Sequence, residues 1–224
     1  MCPCIYLTKH FFFTISIQKQ NKNNNNQQRL NPTVAHKKLI LKLTNSSQEV
    51  DILAEFVLYD PTVHIKEFRQ MNIETAKWHG EQLVENFQFD AFYMLGKSIE
   101  EYVDELLDNF TNLKPPEGIL YILEVDGKVA GMGAITNHNG VGELHRMWNR
   151  PKYRGKGYGK QMINKLLEAG RKFGCTTFRL STARFAIAAQ HVFRSAGFKE
   201  IDEYPETEVA PVMRQYWIYM EKKE

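Results

Sequence analysis

The stretch Arg150-Pro-Lys-Tyr-Arg-Gly-Lys-Gly-Tyr-Gly-Lys160 sets three glycines, at 155, 157 and 159, inside a run of positive charge. Ahead of it lies an apolar, strand-like segment, Gly142-Glu-Leu-His-Arg-Met-Trp148, and behind it an amphipathic helix runs from Gln161 to about Phe173. Strand, glycine turn and helix in that order let backbone N–H groups and a helix N-terminus hold a phosphate. A plainer reading, a solvated basic turn whose glycines supply only flexibility, stands beside it.

Upstream, Val50–Tyr59 is apolar and suits a strand. Asp60-Pro61 reads as a helix N-cap followed by Pro at the first helical position. Helical spacing then continues through Ile65, Phe68, Met71 and Ile73 to Leu83, Val84 and Phe87. A second helix starts at Ser98, which with Glu101 three residues later makes a capping-box pattern. Pro115-Pro116 ends what precedes it. Strands follow: Gly118–Glu124, a hairpin turn at Asp126-Gly127, Lys128–Thr136, a turn at Asn137-His-Asn-Gly140, and Val141–Trp148. Downstream of the helix, Thr176–Ser181 reads as a strand reached by a parallel crossover. Phe185–Ala196 is a helix capped by Gly197, and Phe198–Asp202 and Gln215–Met220 are final strands. The order predicts an α/β (mixed α+β) sheet with helices on its faces.

The order of elements and Arg154-Gly-Lys-Gly-Tyr-Gly159 together resemble the GNAT superfamily of acetyl-CoA-dependent N-acetyltransferases, whose signature Arg/Gln-x-x-Gly-x-Gly/Ala is matched by Arg154, Gly157 and Gly159. Met147-Trp-Asn-Arg-Pro151 looks like that family's strand-to-turn segment. Ala189-x-x-Val-Phe-x-x-x-Gly197-Phe198 resembles its later Ala-x-x-Leu-Tyr-x-x-x-Gly-Phe block. The likeness covers roughly residues 50–222 and implies a central, mostly antiparallel twisted sheet flanked by helices in a domain over 49–224.

The resemblance implies acetyl-CoA as cosubstrate and no metal. The backbone of Gly155, Lys156, Gly157, Tyr158, Gly159 and Lys160 would approach the pyrophosphate unobstructed by Cβ atoms. Arg154 adds charge, with Lys152, Lys156 and Lys160. A splayed strand would offer free backbone groups of Met147, Trp148 and Asn149 to the pantetheine amides. The reaction implied is direct attack by a primary amine on the thioester in a ternary complex, which requires a base. Glu143 matches the position of a glutamate that serves some members in this way. By two-residue alternation it shares a strand face with Asn149. His145 lies on that face too and suits the same role. Many members use a tyrosine to protonate the departing thiolate; here that position is Phe193, counted with the cofactor site but unable to give a proton. A helpful asparagine of the family falls near Ala186, also without a polar side chain. These departures keep a second expectation open: a slow enzyme, or a CoA-binding sensor or scaffold. A third, another phosphate ligand, is disfavoured because the turn lacks the Gly-Lys-Ser/Thr ending of a P-loop.

The loop from Glu200 to Glu208 holds five carboxylates with no basic residue before Arg214. It predicts attraction of a cationic acceptor, small molecule or peptide, against the alternative of an ordinary solvated loop. The aromatic residues Trp78, Phe87, Phe89, Phe92 and Tyr93 read as core and pocket lining, and His64 and His79 have no metal-ligand partners at useful spacing.

The 224 residues carry a net charge of +3. Residues 1–48 hold seven Lys or Arg and no Asp or Glu; the rest carry 22 basic and 26 acidic side chains. The folded part is thus mildly acidic, which disfavours nucleic acid as a partner. No run approaches the roughly 18–20 apolar residues of a membrane span. Cys2, Cys4 and Cys175 form no disulfide framework, so a cytoplasmic, reducing setting is expected. An organelle address in the basic leader is the alternative. Residues 1–48, with the tract 18–31 rich in Asn and Gln, read as a disordered extension in which only Lys37–Leu43 could pair as an edge strand. A homodimer is the one assembly expected.

Overall fold

The computed structural model describes residues 39–45 and 48–224. One eight-stranded sheet runs through it in the order β1-β2-β3-β4-β5-β6-β8-β7. These strands are β1 (Leu39–Asn45), β2 (Gln48–Leu58), β3 (Gly118–Val125), β4 (Lys128–His138), β5 (Val141–Asn149), β6 (Thr177–Ala183), β7 (Lys199–Ile201) and β8 (Trp217–Lys223). Only β5 and β6 pair in parallel; every other pairing is antiparallel. The edge strand expected near Lys37–Leu43 is β1. The rest of the expected disordered extension lies outside the described residues.

Local chemistry places the helices. The Asp60 carboxylate accepts the Thr62 N–H at 2.8 Å and opens α1 (Pro61–Phe87). A short α2 (Ala91–Leu95) follows, and then α3 (Ile99–Thr111), opened by the complete Ser98–Glu101 capping box. The predicted hairpin joins β3 and β4 through Asp126 and Gly127, at φ +50° and +69°, the mirror-image geometry that suits a two-residue connection. Helix α4 (Tyr158–Lys172) crosses from β5 to β6, and α5 (Ile187–Ser195) follows β6.

The sheet has two covered faces. On one, Met162, Ile163 and Leu166 of α4 bury against Ile135, Leu144 and Phe178. On the other, Phe68 and Met71 of α1 and Val103, Leu107 and Phe110 of α3 bury against Leu120, Ile122, Met132 and Ala134. The bidentate Arg69–Asp104 contact, at 2.7 and 2.9 Å, ties α1 to α3. A third cluster joins Leu83 at the end of α1 to Tyr204, Met213 and Tyr219 beneath the segment before β8.

Candidate active site

Strands β5 and β6 pair only from Val141↔Thr177 to Leu144↔Leu180. Beyond that β6 follows β8, while β5 stays on β4. The wedge between them opens a cleft of about 610 Å³. It forms because β5 carries a bulge: Ala134 pairs with His145 but Met132 with Trp148, so Arg146 and Met147 together stand opposite one residue of β4. Arg146 sits at φ +53°, in the left-handed region uncommon for a side chain of its size. A bulge inserts one residue and bends the strand.

The bulge corrects one expectation. Unbroken alternation would put Glu143, His145 and Asn149 on one face. The extra residue instead groups Glu143, His145 and Trp148, through their partners Thr136, Ala134 and Met132, on the α1/α3 face. Asn149, paired with Gly131, turns to the α4 side, where its amide reaches Gly159. With its amide oriented to satisfy both neighbours, Asn149 accepts the Gly159 N–H at 3.3 Å and donates to the Trp148 carbonyl at 3.2 Å.

The residues expected to hold the cofactor come together. Met147, Trp148, Asn149, Arg154, Gly155, Gly157, Tyr158, Gly159, Lys160 and Phe193 all line the cleft. Lys156 does not; its ammonium lies 5.9 Å from the Tyr153 ring. Gly155 and Gly157 have φ of +74° and +80°, and Gly157 caps α4 with no side-chain hydrogen bond to the first turn. Asn149 takes the Gly159 N–H, so in the first turn of α4 the N–H groups of Tyr158 and Lys160 are the ones left to another acceptor, as an anion site requires. Gly159 has no such φ; a Cβ there would meet only Asn149, at 3.7 Å. Arg154 donates to the Asn149 carbonyl at 2.9 Å and stacks 4.4 Å over Trp148. Among the described residues no group of three His, Cys, Asp or Glu is placed to hold a metal ion. No described helix is long and apolar enough to cross a membrane.

The other end of the cleft is built differently. Glu143 does not line it; its buried carboxylate accepts the Tyr204 hydroxyl at 2.7 Å. That contact raises the Tyr204 pKa, after burial itself, because ionising the phenol would set two anions together. Tyr204→Phe leaves a buried carboxylate short of a donor, and a loss of about 1–3 kcal/mol in denaturant unfolding is expected. His145 does line the cleft, with both ring nitrogens engaged: Nε2 lies 2.8 Å from Thr136 Oγ1 and Nδ1 3.2 Å from Glu208. Burial opposes ionisation of Glu208, but bonding and charge from His145, then Arg146, outweigh it and hold the carboxyl at about 2. Arg146 Nε and Trp148 Nε1 are buried without a hydrogen-bond partner among the described residues.

Four of the five loop carboxylates are met by cations: Glu200 by Arg194, Glu203 by Arg214, Glu206 by Arg179 and Glu208 by Arg146. The loop's charge is largely answered within the fold, because the arginines of β5, β6, α5 and the segment before β8 converge on it in space though not in sequence.

His79 is a cleft residue that the sequence reading weighs only as a metal ligand and sets aside. It lines the cleft beside Trp78, Phe185 and Trp217. Burial, partly offset by the Thr75 bond and reinforced by Arg146, lowers its pKa to about 4. The folded value is depressed below 6.5, so neutral His79 adds stability above that pH, and the contribution is lost as pH falls toward 4. His79→Gln should therefore show a smaller drop in Tm than wild type across that window.

The Acetyltransferase (GNAT) family model matches residues 80–198. The chain belongs to this family. An uncharacterized N-acetyltransferase of Schizosaccharomyces pombe is 28% identical over 104 residues, 45% of this chain and 64% of that protein. The N-acetylaspartate synthetase of Xenopus tropicalis is 33% identical over 91 residues, 40% of this chain and 34% of that one. The chain thus spans less than two thirds of these relatives' lengths. In fold, the crystal structure of the Thermoplasma acidophilum PaiA N-acetyltransferase with coenzyme A superposes with a TM-score of 0.56 at 19% identity, over 76% of this chain and 99% of that one. The GNAT expectation for the fold and its mostly antiparallel sheet therefore holds.

Proposed function

We propose that this GNAT protein transfers the acetyl group of acetyl-CoA to a primary amine by direct attack in a ternary complex. The observation that carries the reading is the continuous cleft. It joins the helix N-terminus behind Gly155 and Gly157, where Asn149 takes the Gly159 N–H alone, to an acceptor chamber across the β5–β6 wedge. An acetyl thioester supplies the activated carbonyl. Around it, the amides of α4 and the cations Arg154 and Lys160 bind phosphate charge, and the unpaired edge of β5 beyond Leu144 orients the pantetheine arm. Glu143 and His145 act through position: Tyr204 holds the first, while Thr136 and Glu208 hold the second beside the bulge. Initial rates of thiol release, measured against both substrates, should give intersecting lines; parallel lines would contradict direct transfer.

A CoA-binding sensor or scaffold is the second reading, favoured by Phe193, which is buried against Phe198 and carries no hydroxyl. Thiol release separates the two. A Phe193→Tyr variant with faster turnover places the chain among slow enzymes rather than sensors.

A further inference from the structure

Amide formation needs a group that receives a proton from the attacking nitrogen. Glu143 lies behind the cleft wall, bonded to Tyr204. His145 is engaged at both nitrogens, and Glu208 is engaged by His145 and Arg146. His79 differs. Its Nδ1 lies 2.9 Å from the Thr75 carbonyl oxygen, one turn earlier on α1. A carbonyl only accepts, so Nδ1 carries the hydrogen and Nε2 the lone pair. Among the described residues no hydrogen-bond or ion-pair partner meets Nε2, and the ring lines the cleft. The ring is also held in place: it stacks on Trp217 at 5.6 Å and 30°, with Trp78 at 5.0 Å and Phe185 at 5.8 Å. The charged side chains lining this end are Arg146 and Glu208, already paired with each other.

We propose that His79 is a catalytic residue whose Nε2 accepts the hydrogen bond of the acceptor's attacking amine and takes its proton, with the acceptor's apolar body lying on the wall of Trp78, Phe185 and Trp217. The proposal rests on the N-acetyl transfer reading above. In the step, a neutral amine forms its N–C bond at the thioester carbonyl carbon and the C–S bond breaks with its electron pair passing to sulfur. The nitrogen gives one proton to Nε2, and the imidazolium returns it to the thiolate or to water. A polyamine gains little in this chamber, since Glu208, the one carboxylate lining it among the described residues, is already paired.

The test uses the full chain with acetyl-CoA and a panel of phenethylamine, tryptamine, spermidine and lysine. It compares wild type, His79→Asn and His79→Gln. Asparagine can still donate to Thr75 but has nothing at the Nε2 position, whereas the glutamine amide oxygen reaches toward it. The expected result is that arylalkylamines outrank spermidine in kcat/KM. His79→Asn should lose about 10²–10⁴-fold in kcat, the range for a positioned acid–base group. His79→Gln should recover part of that, with acetyl-CoA affinity by calorimetry unchanged in both. Equal kcat in His79→Asn and wild type overturns the assignment, and spermidine outranking phenethylamine overturns the apolar acceptor. A wild type that releases no thiol with any amine overturns the transfer reading itself, a result distinct from either.

Discussion

Gly157→Val should weaken acetyl-CoA binding by at least about tenfold, whereas Gly159→Ala should leave it nearly unchanged. The contrast follows from the backbone rather than from the motif. Gly157 sits at φ +80° as the N-cap of α4, and an L-residue there costs roughly 1–2 kcal/mol, more when β-branched. The chain escapes that cost by rotating out of the left-handed region, and the rotation turns the N–H groups of the first helical turn away from a common point. A loss of 1.4 kcal/mol in binding is a factor of ten. At Gly159 no such φ exists, and the added methyl would make an ordinary contact of 3.7 Å with Asn149. Calorimetric titration of acetyl-CoA into the two variants checks the pair. Equal losses at both positions would mean that open space at the glycines, not backbone conformation, is what the site requires.

Phe178→Ala should destabilise the fold by about 3–5 kcal/mol, a large part of the 5–15 kcal/mol available to a domain of this kind. Phe178 is fully buried where β6, β5 and α4 meet. Glycine on both neighbours makes room for its ring: a Cβ at Gly170 would come within 2.6 Å of it and one at Gly142 within 2.9 Å. Because the ring is clasped by backbone, the cavity left by alanine cannot close by small side-chain shifts. Urea unfolding should show a lower midpoint with an unchanged slope. As Phe178 locks the only parallel pairing among the described residues, at the base of the wedge, acetyl-CoA should also restore stability to the variant as its concentration rises.

Much of this architecture is legible in the sequence because its signals are local. Asp60-Pro61, Ser98 with Glu101 and Asp126-Gly127 each place a boundary through chemistry confined to a few residues, and all three stand where they are expected. The glycine turn is legible for the same reason. The chamber at the other end of the cleft is not. The bulge at Arg146 and Met147 has no proline or glycine to mark it, and it reverses the facing of Asn149 relative to Glu143. The arginines that neutralise the 200–208 loop are brought by four different elements, so the loop reads as free acid in sequence and as ion pairs in space. His79 is obscured by its aromatic neighbours, which give α1 the look of a buried stripe. Its tautomer is set by the backbone carbonyl of residue 75, one helical turn back, which any residue would supply, so no side chain marks it in the sequence.

Whether the cleft moves an acetyl group or merely holds its carrier is decided by thiol release from acetyl-CoA over an amine library, with the product identified by mass spectrometry. Amine-dependent release of one thiol per N-acetylated product is expected, lost in Gly157→Val. Tight acetyl-CoA binding with no amine-dependent thiol release from any member of the library would contradict it.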